Sequence, residues 1–387
     1  MKNPLKNLFV LAAILFFSFR ALATDIKDWN FLVFLNGINS LDSYGQLNIN
    51  QMEQIGSNDK MNIIVQWGSL ARPGVQRLLI KKDHDSSEVT SPVVQEMGAV
   101  DMGDWHQLVD FATWAQNQYP AKHTFIVVWN HGNGWHRPNL VIKDISFDDR
   151  TGNSIKTEEL GQAMQEIASQ LGHKVDIYAS DACLMGMVEV ADQMKASVNY
   201  FIGSQDLEPG AGWPYNTFLQ KWQSQPSATP LEISKILSSE YMTAYTGGLY
   251  GHDAATMSVF DLNFMDDYHQ AIKNFTTEMV QMSSAKKTAV VKALQESKYF
   301  AMTDYRDMMD FTNKLMASSL IKKSGEDLRA AHNKLVIAND QNQDNMTHGL
   351  SIWLPSSLSE YERYSERYEN LEFNQKTQWK SFLGQLY

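Results

Sequence analysis

The 387-residue sequence holds a single cysteine, Cys183. One thiol excludes an intrachain disulfide and a zinc site built on several thiolates. It leaves two uses for that thiol: burial as a small apolar side chain, or work as a nucleophile. Basic residues are fewer than acidic ones, 33 against 44, and form no run, which argues against a nucleic-acid partner. The net charge of -11 would steer cations weakly toward the protein. The chain has no long repeat, low-complexity tract or interdomain linker. Its 43% hydrophobic and 11% aromatic content is enough for a large core.

The N-terminus carries Lys2 and Lys6, then an apolar stretch from Leu8 to Phe19 that is short for a membrane span. Ala21-Leu22-Ala23 fits a small-x-small cleavage pattern. Residues 1–23 therefore read as a signal peptide of an exported protein, periplasmic or secreted, with no stable membrane span once the signal is removed.

The rest alternates strand and helix. WNFLVFL (29–35), MNIIVQW (61–67), HTFIVVW (123–129), KVDIYAS (174–180) and NYFIG (199–203) are near-continuous apolar runs, as expected for strands buried on both faces of a parallel sheet. Helices are predicted over 43–56, after the capping residue Asp104, from Thr157 to Gly172, and over 184–196. Arg77–Lys81 and Val89–Gln95 suit a hairpin or edge pair. The pattern predicts a doubly wound α/β sheet. Beyond residue 215 it becomes mainly helical, with two apolar runs, 256–260 and 350–354, expected as additional strands. The expected division is a catalytic domain over 24–262 and a mainly helical region over 263–387 that adds a strand to the same sheet.

Two strand ends stand out. HTFIVVW runs into Asn130-His131-Gly132, and KVDIYAS into Asp181-Ala182-Cys183. Ligands in such sheets bind beyond the carboxyl ends of the strands, so one histidine and the only cysteine are expected to share a crevice. A helix beginning at Cys183 would favour its thiolate. The amides of Gly132 and Cys183 would form an oxyanion hole, and His131 would protonate a leaving amine. On residues alone two other readings stay open, a buried structural cysteine and a loop histidine bonded to backbone. His131 and His136 have no third ligand at a zinc-binding spacing.

FIVVWNHGNGW (125–135) resembles the histidine motif of clostripain-type cysteine peptidases, and DIYASDACLMGMVEVA (176–191) resembles their cysteine motif. FLVFLNGINSLDSYGQLNINQMEQIGS (31–57) and DLEPGAGWPY (206–215) are similar to further family segments. The resemblance implies a caspase-like three-layer α/β sandwich with a mostly parallel sheet. It implies a Cys183/His131 dyad with no required third member, and endopeptidase cleavage after Arg or Lys. It places Asp181 in the primary specificity pocket, a position that strand parity with Cys183 would suit; helix capping is the alternative role for Asp181. Asp206 and Glu208 are further pocket candidates, Asp206 preferred, and Trp213 is a candidate pocket wall.

The family is also often cut in the loop after its histidine. Here Lys143 is the first candidate and Arg150 the second, which would make the chain a zymogen. No cofactor is required by this chemistry. Some relatives use calcium, for which Asp144, Asp148 and Asp149 could supply oxygens. The expected partners are protein or peptide substrates of a monomeric enzyme. The competing readings are a catalytically silent binding module on the same fold and a peptidase with non-basic specificity.

Overall fold

The structure is a computed structural model, and it describes residues 26–136, 144–279, 282–342 and 347–387. The expected signal segment and Lys143 lie outside the described residues.

The strands in chain order are β1 (Lys27–Gly37), β2 (Met61–Ser69), β3 (Val75–Leu79), β4 (Val93–Gly98) and β5 (Ala121–Trp129). There follow β6 (Ile145–Asp148), β7 (Asn153–Ile155), β8 (Val175–Asp181), β9 (Val198–Gly203), β10 (Thr246–Gly248) and β11 (Gly251–His252). The last are β12 (Thr256–Asp261), β13 (Tyr305–Asp307), β14 (Val336–Gln341) and β15 (Ser351–Trp353). Nine of them form one sheet in the order β14-β12-β9-β8-β5-β1-β2-β3-β4. The middle of that order, β2-β1-β5-β8-β9, is parallel, and the pairs outside it are antiparallel.

The parallel strands read as continuous apolar runs because both their faces are covered. Successive side chains alternate between two cores. Phe31, Val33 and Leu35 of β1 join one cluster with residues of α1 (Asp42–Glu53), α5 (Tyr215–Gln223) and α6 (Pro230–Ala244). Leu32 and Phe34 join the other, with α2 (Trp105–Gln118) and α3 (Thr157–Leu171) and most of the later helices. Burying each such side chain contributes about 1.5–3 kcal/mol. Helix starts follow local chemistry: the Asp104 carboxylate accepts from the His106 amide at 3.0 Å to begin α2. The first-turn acids Glu158 and Glu159 of α3 oppose the helix dipole.

Three expectations need correction. The run at 350–354 does not extend the main sheet; β15 pairs with β13 in a separate two-stranded unit. The strand that residues 263–387 do give the main sheet is β14, antiparallel to β12, which its half-buried polar sequence VIANDQ conceals. The helix expected over 184–196 is α4 (Val188–Asp192), only five residues long.

Candidate active site

β5 and β8 are neighbours, and their register sets Trp129 opposite Asp181. His131 and Cys183 each lie two residues beyond that pair. Both line one cleft of about 210 Å³, together with Leu41, Asn130, Leu207, Pro209 and Gly210 among others. The His131 ring stacks near Phe147, with centroids 6.0 Å apart, and its Nε2 lies 3.0 Å from the Ser40 hydroxyl. Asn130 anchors the strand end: its amide donates to the Asn36 carbonyl at 2.6 Å, and its side-chain oxygen accepts from Phe147 at 2.7 Å.

Cys183 does not start a helix. Leu184 adopts φ +62°, Met187 is extended, and α4 begins only at Val188. The helix dipole therefore does not reach the sulfur. A peptide unit does: the Glu208 amide donates to Sγ at 3.3 Å. Burial pushes the Cys183 thiol up to about 11, and the nearby Glu208 and Asp181 carboxyls push the same way while the Glu208 amide opposes them. The resting group is thus a neutral thiol.

Gly132 packs against Cys183. A Cβ there would fall 2.4 Å from the Cys183 carbonyl oxygen and 3.0 Å from the Ala182 Cβ. Among the described residues no backbone partner takes the amide of either Gly132 or Cys183. The Cys183 amide bears on its own sulfur, and with the Gly132 amide it could turn to a substrate oxyanion.

The floor of the cleft is acidic. Asp181 accepts from the Tyr215 hydroxyl at 2.8 Å and, more weakly, from the Trp213 amide at 3.4 Å. Glu208 accepts from the Trp213 indole at 3.2 Å. Asn48 accepts from the Trp129 indole at 2.8 Å and donates to the Ala211 carbonyl at 3.0 Å, which fixes the loop over this floor. Gly212 has φ +64°, and a Cβ on it would lie 3.0 Å from an Asp181 oxygen. Burial is the chief cause holding both carboxyls above the ordinary range; for Glu208 the neighbouring Asp181 charge adds to it. Among the described residues no lysine or arginine lines the cleft.

The family model described as the clostripain family, peptidase C11, matches residues 33–385. The chain belongs to the clostripain family. It is similar to clostripain of Hathewaya histolytica, 24% identical over 320 residues, with 68% of this chain and 59% of clostripain covered. The match thus spans under two thirds of that relative's length. Among solved structures it is similar to a secreted C11 cysteine protease from Bacteroides thetaiotaomicron bound to an irreversible peptide inhibitor, with TM-score 0.69, 20% identity, and 91% of this chain and 99% of that one covered. It is also similar to an inactive zymogen C11 protease from Parabacteroides distasonis, with TM-score 0.70, 18% identity, and 91% and 98% covered. At these identities the likeness shows the fold, the caspase-like sandwich expected from the sequence.

Within this clostripain-family fold the remaining candidates sort by position. Asp206 is not on the cleft floor: its carboxylate accepts from the Leu207 and Ala301 amides, at 2.9 and 3.0 Å, and it lines a different, open pocket. Glu208, the less favoured alternative, lines the cleft in the place expected of Asp206, just before a turn closed by the Gly212 amide on the Pro209 carbonyl. Trp213 is fully buried behind the floor and reaches Glu208 through its indole. Arg150 lies in the turn between β6 and β7, its guanidinium donating to the Ser69 carbonyl at 2.5 Å and to Arg72.

Two of the calcium candidates are occupied by protein groups. Asp144 binds the Arg367 guanidinium at 2.5 Å and the Thr157 amide at 2.8 Å, and Asp148 accepts from the Met102, Arg150 and Thr151 amides. His136 faces Asp304 at 2.9 Å. Among the described residues no three His, Cys, Asp or Glu side chains gather to hold a metal, and no helix is long and apolar enough to cross a membrane. Sequence reasoning missed Ser40 and Tyr215. Ser40 had a signal, its place just past the carboxyl end of β1, at the same sheet edge as His131.

Proposed function

We propose that this chain is a cysteine endopeptidase cleaving after arginine or lysine, with Cys183 as nucleophile and His131 as acid/base partner. One observation carries the reading: a thiol and a histidine lie just past the ends of adjacent parallel strands above a cleft floored by two buried carboxyls, and among the described residues no lysine or arginine lines that cleft. Two carboxyls held together in such a place are costly unless a cation joins them. The floor therefore suits a guanidinium or ammonium group, and it disfavours a neutral side chain such as asparagine.

The chemistry follows from the arrangement. Cys183 rests as a thiol, so it loses its proton on attack, and His131 receives it. The substrate carbonyl becomes an oxyanion that the Gly132 and Cys183 amides stabilise. His131 then returns the proton to the departing amine, a thioester remains on Cys183, and water hydrolyses it. The intact His131, Gly132 and Cys183 favour this over a silent binding module.

The chain is exported through its N-terminal segment and works as a monomer on peptide or protein substrates. It is made as a precursor and cut by itself at Lys143. The side-chain bonds of Arg150 disfavour that residue as the site.

Cleavage of a peptide library by the purified chain tests the reading. Arginine or lysine is expected before the cut bond, and Asp181→Ala should lower turnover of such substrates by about 100-fold. An unchanged preference in that variant would move the pocket elsewhere.

A further inference from the structure

His131 follows β5 in the chain but is held from the end of β1. Three buried asparagines lace that region together: Asn36 in β1, Asn39 just past it, and Asn130 just past β5. All three side chains donate to the Phe147 carbonyl of β6, Asn36 and Asn39 at 3.0 Å and Asn130 at 3.3 Å. Asn130 donates to the Asn36 carbonyl as well, and Asn39 does so at 3.1 Å. The side-chain oxygens of Asn36 and Asn39 take the amides of Ile38 and Leu41, at 3.1 and 2.9 Å. Buried amides bonded in this way make a rigid frame.

The frame fixes two things relative to the end of β5: Phe147, and the backbone on both sides of Ser40. Both bear on the His131 ring. Phe147 lies along its face, with 22° between the ring planes, and the Ser40 hydroxyl lies 3.0 Å from Nε2. An imidazole can turn over about its last side-chain torsion, which exchanges a nitrogen for a carbon at each edge. A partner on the face and another at the edge oppose that turn.

We propose that Ser40 is a positioning residue for the reaction: its hydroxyl oxygen accepts from Nε2–H of His131 and holds the ring with Nδ1 as the nitrogen that exchanges the proton with Cys183. The inference rests on the reading of His131 as the acid/base partner. A neutral imidazole carries one ring proton. A hydrogen bond from Nε2–H keeps that proton off Nδ1, which can then take the one from the thiol. The proton passes from Sγ to Nδ1 and on to the departing amine, and Nε2–H stays on Ser40 throughout. A hydroxyl is neutral, so it directs the ring without the charge that a carboxylate would bring to the imidazolium. Its loss therefore weakens catalysis and does not abolish it.

Steady-state kinetics on a peptidyl-arginine amide, together with imidazole nitrogen NMR of the full chain, test this. Ser40→Ala should lower kcat about tenfold, the weight of one neutral hydrogen bond, with KM little changed. Ser40→Thr keeps the hydroxyl and should recover most of that loss; position 40 is exposed, so the added methyl meets solvent. At a pH above the ordinary histidine range, the wild-type His131 signals, identified by their loss in His131→Gln, should show the proton on Nε2. An unchanged kcat in Ser40→Ala, an equal loss in Ser40→Thr, or a proton on Nδ1 in the wild type overturns the inference and leaves the dyad standing. Wild-type kcat in His131→Gln overturns the reading of His131, and the inference with it.

Discussion

Trp129 stands directly opposite Asp181 in the parallel pairing of β5 with β8. From that single register follow the places of the two reactive side chains, each two residues farther along its strand end. It also turns Asp181 toward the layer of α1, α5 and α6, where Tyr215 receives it. The same edge of the sheet thus carries the three side chains proposed as nucleophile, acid/base partner and reader of the substrate's charge.

Gly132→Ala tests the oxyanion assignment. The added Cβ would press on the Cys183 carbonyl oxygen, displacing the two amides relative to each other. Steady-state kinetics on a peptidyl-arginine amide should show kcat reduced by about 100-fold with KM little changed. An unchanged kcat would remove the Gly132 amide from the mechanism.

Arg367 of α11 (Leu358–Tyr368) ties together the two flanks of segment 137–143. It donates to the Trp135 carbonyl on one side and to the fully buried Asp144 carboxylate on the other, and also to Glu158 at 2.9 Å. Arg367→Met would leave Asp144 buried and unpaired, at a cost of about 3–5 kcal/mol. Urea unfolding should show that loss, and Arg367→Lys should recover only part of it because an ammonium lacks the planar fork. A midpoint unaffected by Arg367→Met would contradict the clamp. Activity should fall too, since the Asn133 amide beside His131 and Gly132 donates to the Asp144 carbonyl at 2.8 Å.

Glu208→Gln should change how stability depends on pH. Burial and the Asp181 charge raise the Glu208 carboxyl above its unfolded value. A raised carboxyl contributes fully at pH below the unfolded value and loses that contribution as pH climbs through the folded value. The wild type should therefore weaken relative to Glu208→Gln as pH rises above the ordinary carboxylate range. Melting curves of the two proteins across that rise check this, and parallel curves would show that Glu208 does not titrate there.

Much of this was legible in the sequence where one physical cause dominates. Burial on both faces turns β1, β2, β5, β8 and β9 into apolar runs, and parallel packing puts their ends together, so His131 and Cys183 could be paired before any coordinates. The failures have causes of another kind. LMGMVEVADQM has helical spacing from residue 184, but Gly186 is pressed against the Ser204–Gln205 backbone and its carbonyl accepts from Ser351, so the chain turns at Leu184, is extended at Met187 and becomes helical only from Val188. β14 is an edge strand of mixed polarity that follows α10 (Lys323–Leu335) without a break, so no turn signal precedes it. The choice between Asp206 and Glu208 depends on a distant partner, the Ala301 amide that holds the Asp206 carboxylate, which residue spacing does not encode.

In the proposed function Cys183 does the chemistry on basic substrates. The most direct measurement is kcat/KM for a peptidyl-arginine amide with the wild type and with Cys183→Ala, each after incubation to allow cutting near Lys143. Turnover by the wild type and a loss of at least about 1,000-fold in the variant are expected. Equal turnover by the two proteins would contradict it.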